Sequence, residues 1–162
     1  MEKYLTILID SQKKKLEMLD RITEICDRHD ECLREEVPDM DEYNELMKQK
    51  GSLIEEMNRL DDGFVALYDR IAPALRENPG LYEVRLRELK SLIRQVSNKT
   101  ALIQAHELRI QTRVDRLASL GTARSKAKPA RADAAMRYQR TMNKTGQAQS
   151  IFVDTKQKRS KK

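Results

Sequence analysis

The chain has 162 residues, of which 36% are charged and 39% hydrophobic, with five Tyr, two Phe and no Trp. Five Gly and four Pro are too few to punctuate the turns of a sandwich or barrel, which argues against an all-β fold and for long helices. Leu, Ile and Met are frequent enough over most of the chain to offset the entropy of ordering, so wholly disordered behaviour is excluded as well.

Charge is divided along the chain. Of 32 Lys+Arg and 26 Asp+Glu, residues 122–162 hold twelve of the bases and only Asp133 and Asp154 of the acids, so a segment of net charge +10 follows a body of net charge −4. No run approaches the eighteen or so apolar residues of a membrane span, and the opening MEKYLTILIDSQKKK has no small-residue cleavage site. Two Cys give no disulfide framework. The expectation is a cytoplasmic protein with no membrane insertion.

The first predicted helix spans 2–36. Positions spaced alternately three and four apart read Leu5, Leu8, Gln12, Lys15, Leu19, Ile22, Cys26, His29 and Leu33, an amphipathic pattern with polar exceptions. Val37-Pro38 ends it, because proline lacks the amide proton and pushes the residue before it out of helical geometry.

A second helix is predicted over 39–77. Asp39 stands three residues before Glu42, the spacing of a reciprocal cap, and the seam then reads Tyr43, Leu46, Lys50, Leu53, Met57, Leu60, Phe64, Leu67, Ile71 and Ala74. Gly51 and Gly63 weaken this run, Pro73 should kink its last turn, and Glu77-Asn78-Pro79-Gly80 is the turn that follows. The third helix, 81–120, repeats the pattern through Tyr82, Leu86, Leu89, Ile93, Val96, Thr100, Ile103, Glu107, Ile110, Val114 and Leu117, with Gly121 placed as a left-handed cap. Short connections make successive helices antiparallel neighbours. The predicted fold is all-α, an elongated antiparallel three-helix bundle or coiled-coil hairpin over 1–121, followed by a weakly helical or disordered basic tail over 122–162.

Chemistry-bearing motifs are sparse. There is no glycine-rich phosphate loop, GxSxG, HExxH or paired CxxC, and no catalytic residue or cofactor site is assigned. Cys26, His29 and Cys32 could turn three soft ligands roughly one way, but one helix does not close a tetrahedron, and free Cys commonly packs as a small hydrophobe; no metal is assigned. His106 and Glu107, and the carboxylate pairs Glu35-Glu36, Glu55-Glu56 and Asp61-Asp62, read as solvated side chains. The tail has the charge of a nucleic-acid arm but few aromatic residues to stack on bases and no recognisable recognition fold, so a solvating or protein-docking arm is favoured.

The widths of the apolar stripes differ. Helix 1 is widened on one edge by the flank Tyr4, Ser11, Met18, Ile25 and Cys32 and on the other by Ile9 and Leu16, and the flank of helix 2 reads Met40, Met47, Ile54, Asp61, Tyr68 and Leu75. Helix 3 is narrow, with flanks such as Glu83, Lys90, Arg85, Lys99 and Arg113. An ordinary bundle core or a homodimer seam would absorb the excess. The alternative is a groove for a partner's amphipathic helix, contacted by Met18, Ile25, Met40, Met47, Ile54 and Tyr68. In the tail, Tyr138, Met142, Ile151 and Phe152 are the larger apolar groups and further candidate contacts.

Three stretches carry a resemblance: YLTILIDSQKKKLEMLDRITEI, DEYNELMKQKGSLIEEMNRLDDGFVALYDRI and the ending AQSIFVDTKQKRSKK. Together they resemble the FlgN-type flagellar export chaperones. The middle stretch is the most specific, with an acidic helix start leading to K-G-x-L-I-E-E and then to L-D and G-F. The resemblance implies a small cytoplasmic helical protein without enzymatic activity. Its partners would be the C-terminal helical segments of hook-filament junction proteins, kept unassembled and delivered to the flagellar export gate. The other reading is a structural coiled-coil scaffold that self-associates through the spare stripe and uses its tail on polyanions.

Overall fold

A computed structural model describes residues 1–120, and the tail expectations, including the Gly121 cap and the contacts at Tyr138, Met142, Ile151 and Phe152, lie outside the described residues. Three helices follow one another, α1 over Glu2–Arg34, α2 over Met40–Glu77 and α3 over Glu83–Ser119, and the described residues contain no strand. With 33, 38 and 37 residues they are about 50 to 57 Å long.

The boundaries follow from local chemistry. α1 stops when Glu35 turns extended, at φ −65° and ψ 149°, three residues before Pro38. Asp39 caps α2, its Oδ1 accepting from the amides of Asp41 at 3.0 Å and Glu42 at 3.2 Å. α2 runs through Pro73 to Glu77, four residues further. Pro73 and Asp69 are exposed, so the Asp69 carbonyl that loses its amide partner faces water. Asn78 closes the helix by donating to the Ala74 carbonyl at 3.3 Å.

Two buried clusters show how the helices run. Leu5, Leu8 and Ile9 at the start of α1 lie with Phe64, Tyr68 and Ile71 late in α2 and with Leu89 and Ile93 early in α3. Met18 to Leu33 lie with Tyr43 to Met57 and with Val96 to Val114. The chain therefore runs up, down and up: α2 is antiparallel to its neighbours, and α1 and α3 are parallel.

α1 is the central element. It packs closely against both α2 and α3, whereas α2 and α3 nowhere bring Cα atoms within 8 Å of each other. The rim between α1 and α3 is a polar ladder. Arg85 reaches Glu2 at 3.5 Å and donates to Thr6 at 2.6 Å, Lys13 pairs with Glu88 at 3.7 Å, Lys99 pairs with Asp20, and Arg113 pairs with Asp30 at 3.0 Å. His106 Nδ1 lies 3.7 Å from Asp27. The charged flank of α3 that carries Arg85, Lys99 and Arg113 forms this ladder, repeating roughly every seven residues because two parallel helices keep one register.

The seam of α2 also differs from expectation. Met47, Ile54, Asp61, Tyr68 and Leu75 are buried, while Leu53, Leu60 and Leu67 are only half-buried. The helix is turned toward its Met-bearing flank because it must cover α1 and also meet the side chains of α3.

Candidate functional site, an ionic layer inside the bundle

The polar exceptions in the seams are the unusual groups of the interior. Gln12, Lys15, His29, Lys50, Asn58, Asp61 and Thr100 are all buried. Thr100 satisfies its hydroxyl within α3, donating to the Val96 carbonyl at 2.8 Å. The charged groups form two separate sets.

One set joins α1 to α2. Lys15 Nζ lies 2.7 and 2.8 Å from the two carboxylate oxygens of Asp61, with side chains 1% and 6% exposed. The sequence places Asp61 on a solvated face beside Asp62. It is instead half of a buried bidentate pair, because the turned α2 carries it over Lys15.

The other set spans all three helices. Lys50 of α2 donates to His29 Nδ1 of α1 at 2.9 Å and pairs with Glu107 of α3. Glu107 also accepts from the Cys26 thiol at 3.0 Å. His29 Nε2 lies 3.1 Å from the Tyr43 carbonyl, and the His29 ring rests 4.7 Å from that of Tyr43. A carbonyl only accepts and an ammonium only donates, so Nε2 carries the proton and Nδ1 accepts. His29 is therefore neutral. Glu107, expected on a solvated face, closes this layer because its seam position points at α2.

Electrostatics agree with that tautomer. Burial, then the neighbouring Lys50 ammonium, lowers the pKa of His29 from 6.5 to about 4, against the smaller opposing effects of the Tyr43 carbonyl and Glu107. Above pH 6.5 the ring is neutral in the folded and unfolded chain alike, and the fold has its full stability. As the pH falls toward 4, the unfolded chain takes up a proton that the folded chain refuses. About 3 kcal/mol should be lost over that window, levelling off below pH 4. Urea midpoints should fall already between pH 6.5 and 5, above the range where most carboxylates titrate. His29→Gln, which keeps a donor for Tyr43 and an acceptor for Lys50, should flatten this part of the profile.

Cys26, His29 and Cys32 do not converge. Cys26 turns to Glu107, His29 to Tyr43 and Lys50, and Cys32 donates to the Asp39 carbonyl at 3.3 Å. Burial, and then Glu42 and Glu35, push the Cys32 thiol upward, which keeps it protonated and slow to react near neutral pH. Among the described residues no three His, Cys, Asp or Glu side chains are grouped to hold a metal.

The groove expected from stripe width is closed. Met18 is 3% exposed, Ile25 8%, Met47 7%, Ile54 0% and Tyr68 3%, and Met40 is half-buried against the same cluster. The physical reason is the central place of α1. Its Met18–Ile25–Cys32 edge turns toward α2, as the pairing of Lys14, one turn before Met18, with Glu56 of α2 at 3.3 Å shows, while Leu16 lies between Lys13 and Asp20 on the edge that meets α3. Two neighbours consume the two edges. The buried ionic layers were missed as sites, although the interruptions of the heptad pattern at Lys15, Lys50 and Glu107 were their signal.

These features define an up-down-up three-helix bundle with charge built into its core, and no described helix is long and apolar enough to cross a membrane. No protein-family model matches the chain, and no curated protein and no solved structure matches it significantly.

Proposed function

We propose that the chain is a cytoplasmic FlgN-type export chaperone, without enzymatic activity, that binds the C-terminal helical segments of hook-filament junction proteins and delivers them to the flagellar export gate. The three stretches that carry the resemblance support this reading. The resemblance is the observation that carries it; the wide apolar faces on α1 and α2 are shut over an ionic core, so binding of a client requires the bundle to open. Burying ions stabilises a core less than apolar packing of similar volume, so this interior opens at lower cost than a fully apolar one. A client helix reaches the apolar faces when the bundle opens, since in the closed state no groove presents them. Folding of the client on binding costs about 2 to 5 kcal/mol, which keeps affinity moderate and release feasible at the gate.

Titrating the full chain with C-terminal peptides of hook-filament junction proteins should give saturable binding, a gain in helicity, and faster hydrogen exchange along the faces that the client parts. A flat titration with a folded, helical chain overturns the reading. If sedimentation then showed a tight dimer, the coiled-coil scaffold would replace it.

A further inference from the structure

The rims that α1 shares with its two neighbours are finished differently. Its rim with α3 is closed by the polar ladder, whereas on its rim with α2 Tyr4, Leu53, Leu60 and Leu67 stay half-buried. Lys14 of α1 pairs with Glu56 of α2 at 3.3 Å and fixes the register there. Leu53 and Leu60 stand three residues before Glu56 and four after it, so they share its face. In antiparallel helices seven residues forward on one match seven back on the other. Ile7 is therefore level with Gly63, Arg21 with Gln49, and Arg28 with Glu42. The Ile7 rung is the exception in this row. Ile7 is 47% exposed, the one exposed large apolar side chain on α1 or α2. A Cβ added at Gly63 would meet nothing within 4 Å, so Ile7 does not fill the place opposite it. Leu60 and Leu67, three residues before Gly63 and four after it, wall that notch.

A knob and a notch thus sit side by side on one apolar surface, the form of a self-complementary face, in which a two-fold axis carries each copy's knob into the other's notch. The charges select the orientation. α1 lines this rim with Lys14, Arg21 and Arg28, and α2 with Glu56, Gln49 and Glu42. If two copies met antiparallel, α1 against α1, bases would face bases. With the two-fold axis parallel to the helices, α1 of each copy faces α2 of the other at the same height. Ile7 then meets Gly63, Lys14 meets Glu56 and Arg28 meets Glu42. We infer that the α1–α2 rim is the interface of a parallel homodimer, and that its occupant is a second copy of this chain. Because the copies run parallel, the segments of net charge +10 that follow Leu120 both start at the same end of the dimer.

Analytical ultracentrifugation of the full chain tests this. The unmodified chain should dimerise, and Ile7→Ser and Gly63→Gln should each weaken the dimer at least about tenfold, since each change enters the interface twice. Gly63→Gln should hold or raise the melting temperature of the monomer, because the new side chain has room and glycine disfavours a helix, so losing the dimer is not losing the fold. Leu102→Ser, at a side chain 71% exposed on α3, should leave the dimer unchanged. Lys14→Glu and Glu56→Lys should each weaken self-association. An equimolar mixture of these two variants should recover it, because the mixed pair alone sets opposite charges across both rungs between the copies. A chain that stays monomeric up to about 1 mM overturns the proposal. So does a dimer indifferent to Ile7→Ser and Gly63→Gln, or one weakened instead by Leu102→Ser. A dimer tightened by Lys14→Glu, or a mixture that associates no better than its components, overturns the parallel arrangement.

Discussion

Asp61→Ala should destabilise the bundle by about 3 to 5 kcal/mol, the largest effect expected of any single change at a polar position. The substitution leaves the Lys15 ammonium, 1% exposed, without the carboxylate whose two oxygens lie 2.7 and 2.8 Å away. An ammonium held in the core without that countercharge must recruit water or deprotonate, and either route costs more than the lost hydrogen bonds themselves. The double substitution Lys15→Met/Asp61→Leu removes both charges and fills similar volume. It should be neutral or more stable than the unmodified chain by about 1 to 4 kcal/mol. Urea denaturation of Lys15→Met, Asp61→Leu and their double completes a cycle whose coupling energy isolates the pair. If Asp61→Ala melts like the unmodified chain, Lys15 and Asp61 do not form a buried pair.

Ile93→Asp should cost a comparable amount, on the order of 3 to 5 kcal/mol, because Ile93 is 6% exposed in the cluster that joins the start of α1 to the end of α2. The informative companion is Lys99→Asp. On sequence grounds Lys99 lies on a solvated flank and tolerates substitution. In the structure it pairs with Asp20 across the α1–α3 rim, so aspartate there sets two carboxylates against each other. Both partners are more than a third exposed, with side-chain exposures of 38% and 59%, so the penalty should stay below about 1 kcal/mol and shrink as salt is added. Thermal melts at low and high ionic strength check both points. Equal melting of Ile93→Asp and Lys99→Asp would show that α3 presents a different face to α1.

Much of the fold was legible in the chain itself because its signals are local. Val37-Pro38 stops one helix, Asp39 caps the next through the amides of Asp41 and Glu42, and Asn78-Pro79-Gly80 separates the second from the third. The heptad pattern places Leu8, Ile22, Met57, Val96 and Ile110 inside, and they are buried. The same pattern also marked the polar interior through its interruptions, at Gln12, Lys15, His29, Lys50, Thr100 and Glu107. What it could not supply was the identity of their partners. The pairing of Lys15 with Asp61 depends on how far α2 is rotated, and that of Lys50 with Glu107 depends on two helices that approach only through their side chains.

Stripe width shows the same division most clearly. Wide apolar faces on α1 and α2 were plain from Met18, Ile25, Met47, Ile54 and Tyr68, but a face buried by a neighbouring helix of the same chain leaves the same residue pattern as one awaiting a partner. The sequence by itself determined the helices, their ends, their order and the presence of charge in their seams, because each of these is set within a few residues along the chain. Only the tertiary structure decided that α1 packs closely against both other helices while their side chains meet, which closes both wide faces and gathers Cys26, His29, Lys50 and Glu107 into one layer. The reason is that burial and ion pairing are properties of distance between helices, and periodicity along one helix carries no record of its rotation against the next.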